Sequence, residues 1–158
     1  MGTQRWKSLE TFDSVLENSM TGNDFVKFFL RTPLYVFMGD TMLITVTGRK
    51  TGKKYTTPVG FYRDGETLWV LSSRDRTWWR NVKDGTEVEM RIRGKDVSGF
   101  AKAVLDEETV TAQVMEYVRR IPMSAKGLGV RMENGEPHPK DAARLAKERM
   151  FVRIRLNE

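Results

Sequence analysis

Cysteine is absent from the 158-residue chain, which excludes disulfide stapling, thiolate catalysis and every cysteine-based metal site. A single histidine is present, His138, flanked by Pro137 and Pro139. It has no second histidine for a metal site and no convincing serine triad, so no metal is expected. No paired acidic motif stands out, which counts against hydrolase chemistry. Long apolar runs are missing as well. The richest stretch, residues 25–38, is interrupted by Lys27, Arg31 and Pro33 and is unsuited to spanning a bilayer. Residues 1–6 are polar and no apolar run follows them, so a signal peptide is not expected and a cytoplasmic location is.

What remains is an ordinary folded composition, 39% hydrophobic and 30% charged, at a length that fits one domain over residues 1–158. The net charge of +6 favours anionic ligands by raising their local concentration. Its distribution matters more than its total. Arg49, Lys50, Lys53 and Lys54 place four cations within residues 47–54, with no acid among them.

The chain divides into three stretches. Residues 1–38 read as a helical segment. Leu9, Phe12, Val15 and Leu16 have helical spacing, and Asn23 or Asp24 can cap a second helix through Phe25, Phe28, Phe29 and Leu30. Residues 41–105 hold barrel strands: 42–46, 55–62, 67–71, 88–92 and 97–105, with Asp64-Gly65 as a tight-turn signal. A short helix at residues 76–83 carries Trp78, Trp79 and Val82, with Trp78 and Val82 on one face. These connections are too short for repeated crossover helices, so a mainly β fold is expected, a curved antiparallel sheet closing toward a barrel with peripheral helices. Residues 107–158 provide a helix starting at Asp106 or Thr109, a Gly- and Pro-rich loop at 124–140, a short helix at 141–148 and a final strand at 151–156 with one apolar face and one basic face.

The sharpest chemical signal is Thr47-Gly48-Arg49-Lys50-Thr51-Gly52-Lys53-Lys54. Two glycines permit a tight turn with converging N–H groups, Arg49 can grip a phosphate or carboxylate in bidentate fashion, and the lysines act as point charges. The spacing is not that of a nucleotide-triphosphate loop, and a plain solvated hairpin turn is the alternative. Thr56-Thr57-Pro58 follows. Pro58 cannot donate to a ladder, which puts this stretch at an edge or a bulge. Ser72 and Ser73 end a strand and can bond the rim of a heterocycle, with Arg74 or Arg76 near an acidic substituent. Trp78 and Trp79 can wall a planar pocket or anchor a helix. Asn81 can donate and accept, toward a ligand or within its own loop. Tyr117 can face a pocket or pack on the sheet.

Taken in order, Leu43-Ile44-Thr45-Val46-Thr47-Gly48-Arg49-Lys50-Thr51-Gly52, Thr56-Thr57-Pro58-Val59, Asp64-Gly65, Leu68-Trp69-Val70-Leu71-Ser72-Ser73 and Trp78-Trp79-Arg80-Asn81-Val82 resemble the deazaflavin (F420)-dependent nitroreductase family, within the split β-barrel flavin and deazaflavin oxidoreductases. The resemblance implies an FMN-binding-like split barrel with coenzyme F420 as cofactor and FMN as the alternative. It places the cofactor's phosphate and acidic tail near Arg49, Lys50, Thr51, Gly52 and Lys53. Thr57, Pro58 and Val59 would lie along the cofactor, Ser73 (beside Ser72) near its ring, and Trp78, Trp79 and Asn81 at its border. Tyr117 is implied, more weakly, as a substrate contact or proton donor. The expected reaction is hydride transfer from reduced F420 to an electron-poor small molecule: a quinone, an activated alkene or a nitroaromatic compound. A homodimer is compatible with the fold. The competing readings are a noncatalytic binding protein for a flavin, deazaflavin or hydrophobic ligand, and a nucleic-acid module; the clustered basic turn, without a long aromatic-lined track, argues against nucleic acid.

Overall fold

A computed structural model describes residues 40–158; the helical segment expected at residues 1–38 lies outside them. Six antiparallel strands close into a barrel in the order β1-β2-β3-β8-β5-β4. They are β1 (Asp40–Thr47), β2 (Lys54–Asp64), β3 (Thr67–Ser73), β4 (Thr86–Ile92), β5 (Lys95–Val104) and β8 (Arg149–Leu156). Strand period explains the interior: residues two apart share a face. Ile44 and Val46, Val59 and Phe61, Leu68 and Val70, Val88 and Met90, and Val152 and Ile154 all point into one buried cluster. Fully burying each such side chain contributes roughly 1.5–3 kcal/mol.

Turn chemistry fixes the register. Gly65 has φ 62 in the two-residue link between Asp64 and Thr67, as a hairpin with glycine first requires. Arg93 and Gly94 have φ 50 and 80 in the link between Ile92 and Lys95. A side chain in this left-handed region costs about 1–2 kcal/mol, and asparagine is the usual occupant of that place.

The second core lies outside the barrel. Helix α1 (Glu107–Arg120) buries Val110, Val114, Tyr117 and Val118, positions separated by four, three and one, one face of an α-helix. The Asp106 carboxylate caps it, accepting from the Thr109 backbone N–H at 2.9 Å and its hydroxyl at 2.7 Å; such a cap is worth about 1 kcal/mol. Acids in the first turn and arginines in the last oppose the helix dipole favourably. This face packs with α3 (Pro139–Glu148) over Tyr62, Leu71 and Phe151. An aspartate at Val114, which has no accessible surface, would put an unpaired charge in that layer and break it.

Three expectations are corrected. Residues 124–140 are not one loop: they form α2 (Ser124–Leu128), β6 (Met132–Glu133) and β7 (Glu136–Pro137). Gly129, at φ 71, ends α2, and Asn134-Gly135, at φ 53 and 80, makes the turn between β6 and β7. The glycines are punctuation of structure there. Residues 78–82 form a 3₁₀ turn, whose period of three aligns Trp79 with Val82; those two are the buried pair, and Trp78 is half-buried against the edge of the core. The outer face of the final strand is not uniformly basic: between Arg149 and Arg153, Phe151 on the same face is buried against Tyr117 and Trp69.

Among the described residues no helix is long and apolar enough to cross a membrane.

Candidate functional site

The β1–β2 hairpin reaches past β3. Ladder pairing between β2 and β3 covers only Phe61–Asp64 on the β2 side, so in the described residues that edge of β2 from Lys54 to Gly60 has no strand partner. This is the edge position that Pro58 demands. The 3₁₀ turn packs beside the hairpin tip, and between them runs an open groove of about 570 Å³. One wall is the basic turn: Gly48, Arg49, Lys50 and Thr51, continued by Tyr55, Thr56 and Thr57; the other is Arg76, Thr77, Trp78, Arg80 and Asn81.

Local geometry explains the hairpin tip. Gly48 N–H donates to the Lys53 carbonyl at 2.7 Å, and Gly52 N–H to the Gly48 carbonyl at 2.9 Å. A Cβ on Gly48 would lie 2.8 Å from the Tyr55 ring and 2.9 Å from Thr51 Oγ1, too close to accept. Gly52 is required by conformation, at φ 70, with open space around it. Thr51 Oγ1 accepts from the Lys53 N–H at 3.3 Å and meets the Tyr55 hydroxyl at 3.4 Å, so it braces the turn from within.

Asn81 joins the two walls. Its Oδ1 accepts from the Arg49 backbone N–H at 3.1 Å, and its Nδ2 donates to the Trp78 carbonyl at 3.2 Å. Trp78 is held in turn by its indole N–H, which donates to Ser72 Oγ at 3.1 Å.

The electrostatics are one-sided. Among the described residues, Arg49, Lys50, Arg76 and Arg80 line the groove and no carboxylate does. Arg80 also lies over the Trp79 ring, 5.6 Å from its centroid, a contact that orients the guanidinium. Lys54, by contrast, turns to Glu89 on β4 at 3.7 Å. Within the groove, Thr57 Oγ1 is buried and has no hydrogen-bond partner. Such an unmet group costs about 1–3 kcal/mol unless a ligand or water satisfies it.

Of the residues singled out in the sequence, Arg49, Lys50, Thr51, Thr57, Trp78 and Asn81 meet in this groove. Gly52 and Lys53 shape the turn from behind. Pro58 and Val59 are buried further along β2, Val59 inside the barrel. Trp79 is a core residue; its indole N–H is buried without a partner. Ser72 is engaged by Trp78, and Ser73 donates to Asp75 Oδ1 at 2.5 Å, which holds the Asp75 carboxyl below its ordinary range. Tyr117 is corrected: with 1% exposure it sits in the outer core, its ring 5.9 Å from Tyr62 and 6.1 Å from Phe151. It falls on the apolar face of α1 and is buried in the outer core. Arg74 is corrected too. Its guanidinium donates to the carbonyls of Leu105, Ala146 and Arg149 and ties the residue after β5 to α3 and β8. Arg80 was the residue that the sequence hid: nothing local links residue 80 to residue 49, and only the fold brings them to one groove. His138 is structural, its carbonyl accepting from the Asp141 and Ala142 N–H groups at the start of α3. No cluster of metal-ligating side chains occurs among the described residues.

Comparison with known proteins bears on the fold and the family. The fold is shared with the protein Atu2129, of unknown function, from Agrobacterium tumefaciens, at a TM-score of 0.53 and 13% identity, over 89% of this chain and 58% of that one. It is also shared with the FAD and heme binding protein from Mycobacterium smegmatis, at a TM-score of 0.51 and 14% identity, over 80% and 66%. These likenesses establish the split β-barrel and nothing further. In sequence, the chain is 28% identical over 83 residues to an F420H(2)-dependent quinone reductase of Mycobacterium tuberculosis (strain H37Rv), covering 49% of this chain and 56% of that protein. The chain thus spans little more than half the length of the curated relatives it matches. Residues 31–124 match the family model described as F420H(2)-dependent quinone reductase; they contain the whole groove, and the chain belongs to that family.

Proposed function

We propose that the groove holds coenzyme F420 and that the protein is an F420H2-dependent oxidoreductase whose acceptor is a quinone. The observation that carries this reading is a groove lined, among the described residues, by four cations and no carboxylate, with an unsatisfied buried hydroxyl, Thr57 Oγ1, in its wall. A deazaflavin with a phosphate and a carboxylate tail offers both an anionic end for the cations and a polar ring edge for the hydroxyl. The residues present therefore fit the group.

Arg49 and Arg80 are suited to bidentate pairing with phosphate or carboxylate, and Lys50 adds a point charge. Asn81 keeps the Arg49 backbone in place, so the cationic wall is organised before a ligand arrives and little ordering remains to be done on binding. Trp78 supplies a flat apolar flank fixed by Ser72. Thr57 sets one hydrogen bond near the barrel wall. When bound, the reduced deazaflavin supplies the hydride; the chain supplies position and electrostatics. None of the side chains lining the groove is required as a nucleophile, in keeping with a chain that has no cysteine.

The test is anaerobic mixing of the protein and F420H2 with a soluble quinone, following recovery of oxidised F420 by absorbance. A nitroaromatic compound and an activated alkene run in parallel. Turnover with the quinone, lost in Arg49→Glu, supports the proposal. Turnover only with another acceptor moves the substrate class. Tight F420 binding without turnover of any acceptor makes the chain a binding protein, and preference for FMN changes the cofactor.

A further inference from the structure

In the described residues, the end of the barrel away from the groove is also open. Its mouth is a concavity of about 300 Å³ to which all six barrel strands contribute. Phe61 from β2 and Leu68 from β3 form a buried floor, and Ile92, Val97 and Leu156 form apolar sides. The rim is charged: Arg63, Arg93 and Lys95 against one acid, Asp40. Asp40 is already spent on Arg93, whose guanidinium donates to its carboxylate at 2.8 Å. Two cations, Arg63 and Lys95, remain above an apolar floor with no carboxylate paired to them among the described residues. Arg63 turns one N–H to the Gly65 carbonyl at 2.8 Å, which fixes it at the rim and leaves its other donors available.

The backbone supplies an independent sign. Among the described residues, the two non-glycine positions with positive φ are Asn134 and Arg93. Asparagine is at home in that conformation, and arginine is not. The strained turn keeps a guanidinium at the mouth, the kind of local cost that persists where a site needs it.

We propose that this mouth is a second binding site, separate from the groove, for a small amphipathic anion: a single apolar chain of medium length ending in a carboxylate. The chain would lie on Phe61 and Leu68, and the carboxylate would meet Lys95 and Arg63. The volume is at the low end for ligand pockets, so it suits one short chain and excludes a ring system of flavin size. Apolar matter in barrel mouths with a few convergent polar groups is a recurrent binding arrangement.

Calorimetric titration of the full chain with octanoate, hexanoate and 1-octanol tests the proposal. Octanoate saturates at one site; hexanoate binds roughly fifteenfold more weakly, at about fourfold per buried methylene; octanol, lacking the charge, binds at least about tenfold more weakly. Lys95→Glu weakens octanoate by about tenfold or more, while Arg49→Glu, across the barrel, leaves it unchanged. Methyl NMR places the shifts on Ile92, Val97 and Leu156. Absence of saturation, indifference to Lys95→Glu, or loss of octanoate in Arg49→Glu would overturn it. F420 titrated into the same samples reports on the groove alone, so failure at one site is distinguishable from failure at the other.

Discussion

The side-chain amide of Asn81 spans the groove, accepting from the Arg49 backbone N–H at 3.1 Å and donating to the Trp78 carbonyl at 3.2 Å. One residue therefore couples the basic turn to the tryptophan wall. Asn81→Asp keeps the acceptor, removes the donor and brings a negative charge to a groove whose described lining has none. Stability should fall by only about 1 kcal/mol, the net worth of one hydrogen bond, while F420 affinity should fall by about tenfold or more. Thermal melts and F420 titration separate the two effects.

The glycines predict a graded series. Gly52 has open surroundings and φ 70, so alanine there should cost about 1 kcal/mol in backbone strain. Gly99 faces the β8 backbone, and an added Cβ would sit 2.6 Å from the Arg155 carbonyl oxygen. A backbone atom cannot swing aside, and Gly99→Ala should cost about 1–3 kcal/mol or more. Urea unfolding of the two variants gives the order, and a Gly52→Ala that is the more damaging would contradict it.

Trp78 and Trp79 should respond oppositely. Trp79 is buried in the barrel core with Val82; Trp79→Ala should lose about 3–5 kcal/mol. Trp78 lines the groove, so Trp78→Leu should alter ligand affinity with a smaller change in melting temperature. Paired melting curves and F420 titrations on each variant check this.

Acid should attack the α3 end of the molecule. Asp141 is 3% exposed and accepts from the Arg131 backbone N–H and guanidinium at 2.9 Å each, with Arg144 at 3.4 Å. These partners hold its carboxyl well below the ordinary aspartate value of 3.8. A depressed folded pKa stabilises above the unfolded value and loses that contribution as pH falls from there through the folded pKa. Asp141→Asn should therefore lower stability at neutral pH and flatten the loss of stability below about pH 4. Equal acid sensitivity in wild type and variant would contradict the assignment.

Much of the barrel could be read from alternation, because β strands such as Thr86–Ile92 bury one side and period 2 writes that into the chain. Its closure could not: β8 lies between β3 and β5, a pairing across the length of the sequence. The Gly-rich turn was legible because Gly52 and the cations are local signals. Arg80 was not, since its relation to Arg49 exists only in three dimensions. An α period pairs Trp78 with Val82, whereas the 3₁₀ turn pairs Trp79 with it. The hairpin at Asn134-Gly135 was legible in principle, for that dipeptide favours the left-handed turn it makes; it was submerged in a Gly- and Pro-rich stretch. Tyr117 shows the opposite error, a polar tip outweighing a helical period that places the ring in the core.

Equilibrium binding of F420 at two salt concentrations, to wild type, Arg49→Glu and Arg80→Glu, tests the central claim most directly. The account predicts saturable one-site binding that weakens with salt, and a loss of about tenfold or more in both variants, which come from opposite walls of one groove. Wild-type affinity in both variants, or no binding of F420 by the wild type, would contradict it.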